Sequence, residues 1–160
     1  MRRGGRALLG PVMAVLGLAA GCTTPAGPGA ILPSNASSGP PVRVHGLFAV
    51  TSKTLGPIVV DGQGFALYRS ARDSSNPPRS ACLAACLVTW PPAPAWDDLR
   101  VVGIDRQLVG RLTRPDGTVQ LTLAGWPLYG NAGDRMPGDA TAEGQGGSWF
   151  VIAPSGARAG

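Results

Sequence analysis

Acid–base chemistry has little to work with in this sequence. Among 160 residues one is histidine, His45, and one is glutamate, Glu143. No Ser/His/Asp arrangement, G-x-S-x-G elbow, P-loop or H-E-x-x-H pair occurs. Gly144-Gln145-Gly146-Gly147 is glycine-rich, but it precedes a strand signal and so offers no helix N-terminus to a phosphate. These absences argue against an enzyme. Cysteine is also scarce, at three residues. Cys82 and Cys86 have no further thiol or imidazole nearby, so no metal or other cofactor is expected. The sole long apolar run, Ala7 to Ala20, is too short to cross a membrane and stay there. No Lys/Arg cluster of the kind that follows a phosphate backbone is found, so nucleic acid is not an expected partner.

What is present begins with an address. Arg2, Arg3 and Arg6 precede the apolar run, and a charged segment ahead of a short hydrophobic one reads as an export signal. Gly17-Leu18-Ala19-Ala20-Gly21-Cys22 fits a bacterial lipobox, with Cys22 as the first mature residue. Residues 1–21 are therefore expected to be a lipoprotein signal peptide. Lipid on Cys22, palmitate included, would hold the chain on the extracytoplasmic face of the cell membrane. Of the fourteen Lys and Arg residues, eleven remain once those three arginines are removed, against nine acidic ones. The basic net charge is thus largely a property of the signal.

Residues 22–41 are rich in Pro, Gly, Ser and Ala and carry no charge. Such a stretch buries too little apolar surface to offset its ordering entropy, so it reads as a flexible tether. Residues 42–157 read as one all-β domain of antiparallel hairpins. Leu47 to Val50 and Pro57 to Val60 have strand length and composition. Asp61-Gly62-Gln63-Gly64 is a turn that returns Phe65 to Tyr68 as the partner of the second strand. Ser80 is the expected N-cap of one short helical turn over residues 81–87, stopped by Pro91-Pro92. Thr118 to Leu123 alternates polar and apolar without error, which predicts one buried face and one wet face. Arg114-Pro115-Asp116-Gly117 is a turn ahead of it. Pro127 cannot donate to a ladder, so its strand belongs at an edge. Trp149 to Ile152 is the last of six or seven strands.

One unit recurs. Gly64-Phe65-Ala66-Leu67-Tyr68 is followed five residues on by Asp73, and Gly125-Trp126-Pro127-Leu128-Tyr129 is followed five residues on by Asp134. Tyr68 and Tyr129 carry large apolar bodies with polar tips, and each Asp stands in a polar loop. Two readings follow. Either the tyrosines pack in the core while Asp73 and Asp134 cap their own loops, or the two pairs line a shared ligand site. The four tryptophans suit packing better than a sugar platform.

With Cys22 lipidated, Cys82 and Cys86 are left as an even pair in an oxidising compartment, which favours a disulfide. Residues i and i+4 on a regular helix hold their Cβ atoms about 5–6 Å apart, whereas a disulfide requires about 3.8 Å. A bond here thus implies a distorted turn. A redox-active pair and a metal-binding pair are the alternatives.

The landmarks in order are Leu55-Gly56, Asp61, Gly64, Leu67-Tyr68, Asp73, Cys82-x3-Cys86 and Trp90-Pro91-Pro92. Arg114-Pro115-Asp116-Gly117, Gly125 to Tyr129, Gly133-Asp134, Pro137-Gly138-Asp139 and Gly144-Gln145-Gly146-Gly147 before Trp149 follow. Together they resemble the bacterial lipoprotein and secreted-repeat family of unknown function with a Tyr-x-aromatic-x-x-Asp motif. The resemblance covers roughly residues 42–157 and implies an envelope location with no stated activity. The chain departs from that motif at Ser70 and Asn131, where the aromatic would stand. The expected function is a lipid-anchored envelope module that binds or scaffolds, with an unknown envelope partner. The alternative is an accessory to envelope electron transfer or metal handling through the cysteine pair.

Overall fold

Residues 43–160 are described by a computed structural model; the segments expected to be a signal peptide and a tether, with Cys22, lie outside the described residues. The chain runs β1 (Gly46–Ser52), β2 (Gly56–Asp61), β3 (Tyr68–Ser70), β4 (Ser74–Ser75), β5 (Pro78–Arg79), α1 (Cys86–Thr89) and β6 (Arg100–Val102). It continues with β7 (Val109–Thr113), β8 (Val119–Leu123), β9 (Trp126–Pro127) and β10 (Trp149–Val151). The fold is all-β, in four small sheets ordered β2-β1-β6, β10-β3, β4-β5 and β7-β8-β9. Every pairing is antiparallel except β1 with β6, which is parallel.

Period-two alternation explains the core. Ile58, Val60, Ala66, Tyr68, Tyr129 and Val151 face one cluster of buried side chains. Their neighbours Val59, Leu67, Leu128 and Ile152 face a second cluster. Successive residues of a strand point to opposite faces, so these central segments are buried on both sides, and apolar residues stand at consecutive positions. Hydrogen bonds stitch the segments together: Leu67 N to Val59 O at 3.0 Å, Val59 N to Ile152 O at 2.9 Å and Ile152 N to Leu67 O at 3.0 Å. The repeated Leu-Tyr dipeptide is thus one residue for each core.

Several expectations from the sequence need correction. β2 makes its longest pairing with β1, and the expected return segment pairs with its other edge over a short stretch, Asp61 N donating to Phe65 O at 2.9 Å and Leu67 N to Val59 O at 3.0 Å. The Asp61–Gly64 turn is present and Val60 bridges Ala66, but the chain then diverges and β3 pairs with β10. The helical turn is Cys86–Thr89, four residues long, with Ala85 at its N-cap position. Ala84 sits at φ 49°, outside the right-handed helical region, so no helix can run through residues 81–87, and Ser80 is not its cap. In β8 the expected wet face is buried: Gln120 and Thr122 are 1% and 2% exposed, while the apolar Val119 is 38% exposed. β8 is the middle strand of its sheet, and Pro94 bridges Gln120 from the preceding loop. Gln120 is satisfied inside, its Nε2 donating to Leu128 O at 2.7 Å. The described residues hold ten strands, several only two or three residues long. Beyond residue 157, Ile152 bridges Arg158 and Ala159 packs into the first core. β9, with Pro127, does lie at a sheet edge.

Candidate functional site: the junction of the two repeats

Tyr68 and Tyr129 meet at the centre of the molecule. Their backbones form an antiparallel bridge, with Tyr68 N donating to Tyr129 O at 2.8 Å and Tyr129 N to Tyr68 O at 2.9 Å. Both side chains are fully buried. Each phenol reaches into the other repeat. Tyr68 Oη donates to Asp134 Oδ2 at 2.8 Å, and Tyr129 Oη donates to Asp73 Oδ2 at 2.8 Å. The second oxygen of each carboxylate holds its own loop. Asp73 Oδ1 accepts from Ala81 N at 2.8 Å; Asp134 Oδ1 accepts from Thr141 N at 3.1 Å and from Thr141 Oγ1 at 2.5 Å. Each aspartate therefore caps its loop, and it also fastens that loop to the opposite tyrosine.

The glycine that opens each unit is part of the same junction. Gly125 has φ +81°, and a Cβ there would lie 2.2 Å from Ser75 O, two residues after Asp73. Gly64 has φ +88°, and a Cβ there would lie 3.1 Å from Pro137 Cβ, three residues after Asp134. Both positions demand a left-handed backbone and close approach to the other repeat, which only glycine supplies without strain.

A family model described as a secreted repeat of unknown function matches residues 49–94 and again residues 110–153, more than half of the chain. The chain belongs to this family. Neither the curated proteins nor the solved structures searched returned a match. Membership indicates an extracytoplasmic location. The two matched segments each carry one tyrosine, one aspartate and one tryptophan of the junction.

The two secreted repeats close over each other through their tryptophans. Trp90 follows Tyr68 in the first, Trp149 follows Tyr129 in the second, and the indoles stack at 3.8 Å between centroids and 5° between planes. Tyr68 packs edge-on to Trp90 at 5.4 Å, and Tyr129 edge-on to Trp149 at 5.1 Å. Around them runs a polar network that the sequence did not announce. The phenol proton of Tyr129 is committed to Asp73, so Ser80 Oγ, at 2.6 Å from the same oxygen, is the donor to it. Ser80 Oγ in turn accepts from Arg114 Nη1 at 3.2 Å. Arg114, read from the sequence only as a turn residue, is 3% exposed, and its guanidinium also donates to Gln120 Oε1 and to Cys82 O. A basic residue at the first position of a Pro-Asp-Gly turn carries no signal of burial.

Burial sets the ionisation of the junction. It pushes the Tyr129 phenol up to about 12, against a downward pull from the Ser80 hydrogen bond. It raises Tyr68 as well, with the Asp134 hydrogen bond adding to the effect. Burial also raises Asp73 above the usual carboxylate range; bonds from Ala81 N and Tyr129, and the nearby Arg114, act the other way.

The cysteines are joined: Cys82 and Cys86 form a disulfide with Cα atoms 5.4 Å apart. The bond spans the residues before α1, where the Ala84 backbone breaks helical geometry, so the distance objection for a regular helix does not apply. Beside it opens a cleft of about 350 Å³, bounded by the disulfide, Trp90 and Trp149, with Ser70, Arg72, Thr89 and Gln145 as its polar lining. The side chains of Arg72, Thr89 and Gln145 make no hydrogen bond among the described residues. Ser70, one of the two departures from the aromatic motif, is thus a wall of this cleft. The other, Asn131, caps its own turn, its Oδ1 accepting from Gly133 N at 2.5 Å.

The scarce acid–base residues lie elsewhere. Glu143 accepts from Val151 N at 2.5 Å, pinning β10. His45 Nδ1 lies 2.9 Å from Asp98 Oδ1, and its ring stacks on Trp96 at 4.0 Å. That pair borders a second hollow of about 330 Å³, walled in part by Pro91, Pro92 and Pro94. No group of three or more His, Cys, Asp or Glu side chains suited to a metal occurs among the described residues.

Proposed function

We propose that this secreted-repeat protein is a lipid-anchored module of the cell envelope, held by acyl chains on Cys22, that binds a partner rather than catalysing a reaction. The binding site is the cleft at the junction. The observation that carries this reading is the contrast between the two sets of polar groups. The Tyr and Asp side chains that recur in both repeats are spent on each other, whereas Arg72, Thr89 and Gln145 converge uncommitted on an apolar floor of tryptophan and disulfide. A cleft of about 300 Å³ or more with a few converging polar groups is the usual form of a small-ligand or peptide site. A photo-crosslinking side chain at Arg72 should capture a partner from the protein's own membranes, and the same probe at Val50, exposed on β1, should not. Equal capture at both positions contradicts the cleft as the site. For the anchor, Cys22→Ser should move the protein out of the membrane fraction, and unchanged fractionation with no lipid on Cys22 contradicts it.

One observation favours a second reading. The disulfide itself lines the cleft, and Cys86 is only partly buried. A bridge accessible to a partner suits an accessory to envelope electron transfer. Redox titration separates the two: structural disulfides lie below about −300 mV, and exchanging ones lie between about −270 and −120 mV.

A further inference from the structure

Away from the cleft, two guanidinium groups lie over aromatic rings, Arg69 of β3 over Trp126 of β9 and Arg158, beyond β10, over Phe150 of β10. Arg69 lies over the Trp126 ring, its Cζ 3.5 Å from the centroid. Arg158 lies over the Phe150 ring at 3.6 Å. Arg69 and Phe150 are paired across the β3–β10 ladder, so the two cations are neighbours. Each is fixed by its ring, and Arg69 is further held by donating from Nη1 to Gly156 O at 3.1 Å. Neither forms an ion pair among the described residues; the two ion pairs found there join His45 to Asp98 and Arg111 to Asp97. Arg69 Nε is buried without a partner, and Arg158 is exposed with no hydrogen bond from its side chain among the described residues. Burial and then the nearby Arg158 charge make the Arg69 cation less favourable than in water. The Asp73 carboxylate acts the other way on Arg69 but bonds to neither guanidinium, and two neighbouring cations repel each other unless a counter-charge is bound between them.

We propose that Arg69 and Arg158 form an anion site that takes a phosphate group. The exposed Arg158 guanidinium can meet phosphate oxygens as a fork, Arg69 adds its Nη2 and its charge, and the two positive charges together balance a phosphate dianion, where one carboxylate would leave a charge uncompensated. The ring faces preset the orientation of the forks, so little side-chain freedom is lost on binding. Arg158 also borders an open groove of about 610 Å³ that includes Leu55, Pro57 and Pro154, which leaves room for whatever the phosphate is attached to. The phosphate could belong to a soluble ester or to a lipid headgroup. This site is independent of the cleft, and its failure leaves the cleft untouched.

The test uses the full chain carrying Cys22→Ser, so that attached lipid does not contribute. Inorganic phosphate is titrated at constant ionic strength against chloride, with melting temperature and heat of binding as readouts. In a second arm, the protein is sedimented with phosphatidylglycerol vesicles and with phosphatidylcholine vesicles. Arg158→Gln should weaken phosphate binding about tenfold or more, the loss expected for a hydrogen bond to a charged group. Arg79→Gln, on β5, should leave it unchanged. Arg158 is exposed, so its replacement should leave the circular dichroism spectrum intact. A response to free phosphate assigns a soluble ester, and selective sedimentation with the anionic vesicles alone assigns a headgroup. No response in either arm, or identical responses from the parent and Arg158→Gln, overturns the proposal.

Discussion

Tyr68 bonds to Asp134, sixty-six positions away, and not to Asp73, five positions away. The reciprocal bond joins Tyr129 to Asp73 across fifty-six positions. The two repeats are therefore interlocked through the residues that define them, and the most direct predictions concern this exchange.

A double-mutant cycle on Tyr68→Phe and Asp134→Ala should give a coupling energy of about 0.5–3 kcal/mol, because the two share a buried bond. The cycle on Tyr68→Phe and Asp73→Ala should come out smaller, within about 0.5 kcal/mol of additivity. Each aspartate replacement alone should be destabilising by about 1–3 kcal/mol or more, since a backbone N–H and a phenol both lose their acceptor. Urea unfolding of the six proteins decides the matter. Larger coupling within a repeat than between repeats contradicts the interlock.

Alkaline titration should be all-or-none. The chain has two tyrosines, both fully buried. An unfolded phenol ionises near about 10, while folding pushes Tyr129 up to about 12 and raises Tyr68 as well. Stability from the neutral phenols is fully present below the unfolded value and is lost as pH rises through the folded one. At about pH 11 the native protein should show little phenolate absorbance at 295 nm, whereas the urea-unfolded chain should show nearly two tyrosines' worth. A native tyrosine titrating near 10 contradicts the burial described here.

Asp73 should give a falling limb at the acid end. Its folded pKa is raised by burial, so below about 3.9, the unfolded value, the carboxyl is protonated in both states. Above it the unfolded chain releases the proton first, and stability declines until pH passes the folded value. Asp73→Asn removes this dependence and carries a constant penalty instead, because one amide oxygen must serve both Ala81 N and Tyr129 Oη. The stability difference between parent and variant should therefore shrink as pH rises from about 4. Asp98, Asp116 and Asp139 are shifted the other way, Asp98 chiefly by His45, Asp116 by Thr118 and Asp139 by the Arg135 amide. Their contribution is present above about 3.9 and is lost as pH falls in parent and variant alike.

Replacing Cys82 and Cys86 by Ala should lower stability by about 2 kcal/mol, the chain-entropy value for so short a loop, without abolishing the fold. Mass spectrometry of unreduced peptides should find the two linked. Two alkylatable thiols in protein isolated under oxidising conditions contradict the bridge.

How much of this was legible in the sequence depends on distance along the chain. The doubled Leu-Tyr-x4-Asp unit was visible, and the repeat's chemistry dictates that a tyrosine flanked by strand residues be buried. The partner of each phenol was not visible, because spacing within a unit points to the nearest aspartate and says nothing of one in the other repeat. Gln120 and Thr122 alternate with Leu121 and Leu123 as a half-wet strand would. They are buried because Leu128 O and Arg114 give Gln120 its partners, and those arrive from other segments. Ser80 looks like a helix cap in the sequence because it precedes helix formers. The positive φ at Ala84 delays the helix, and the serine serves Tyr129 and Arg114 instead. Local chemistry was readable in each case, and what it was joined to was not.

The exchange of partners also means that half of this molecule is unfinished. A single repeat would hold a tyrosine with no carboxylate, a carboxylate with no tyrosine and one face of an unpaired indole. The complement to that set is another copy of the same repeat, meeting it through the antiparallel Tyr68–Tyr129 bridge. A one-repeat chain should accordingly be a symmetric dimer, with each subunit completing the other.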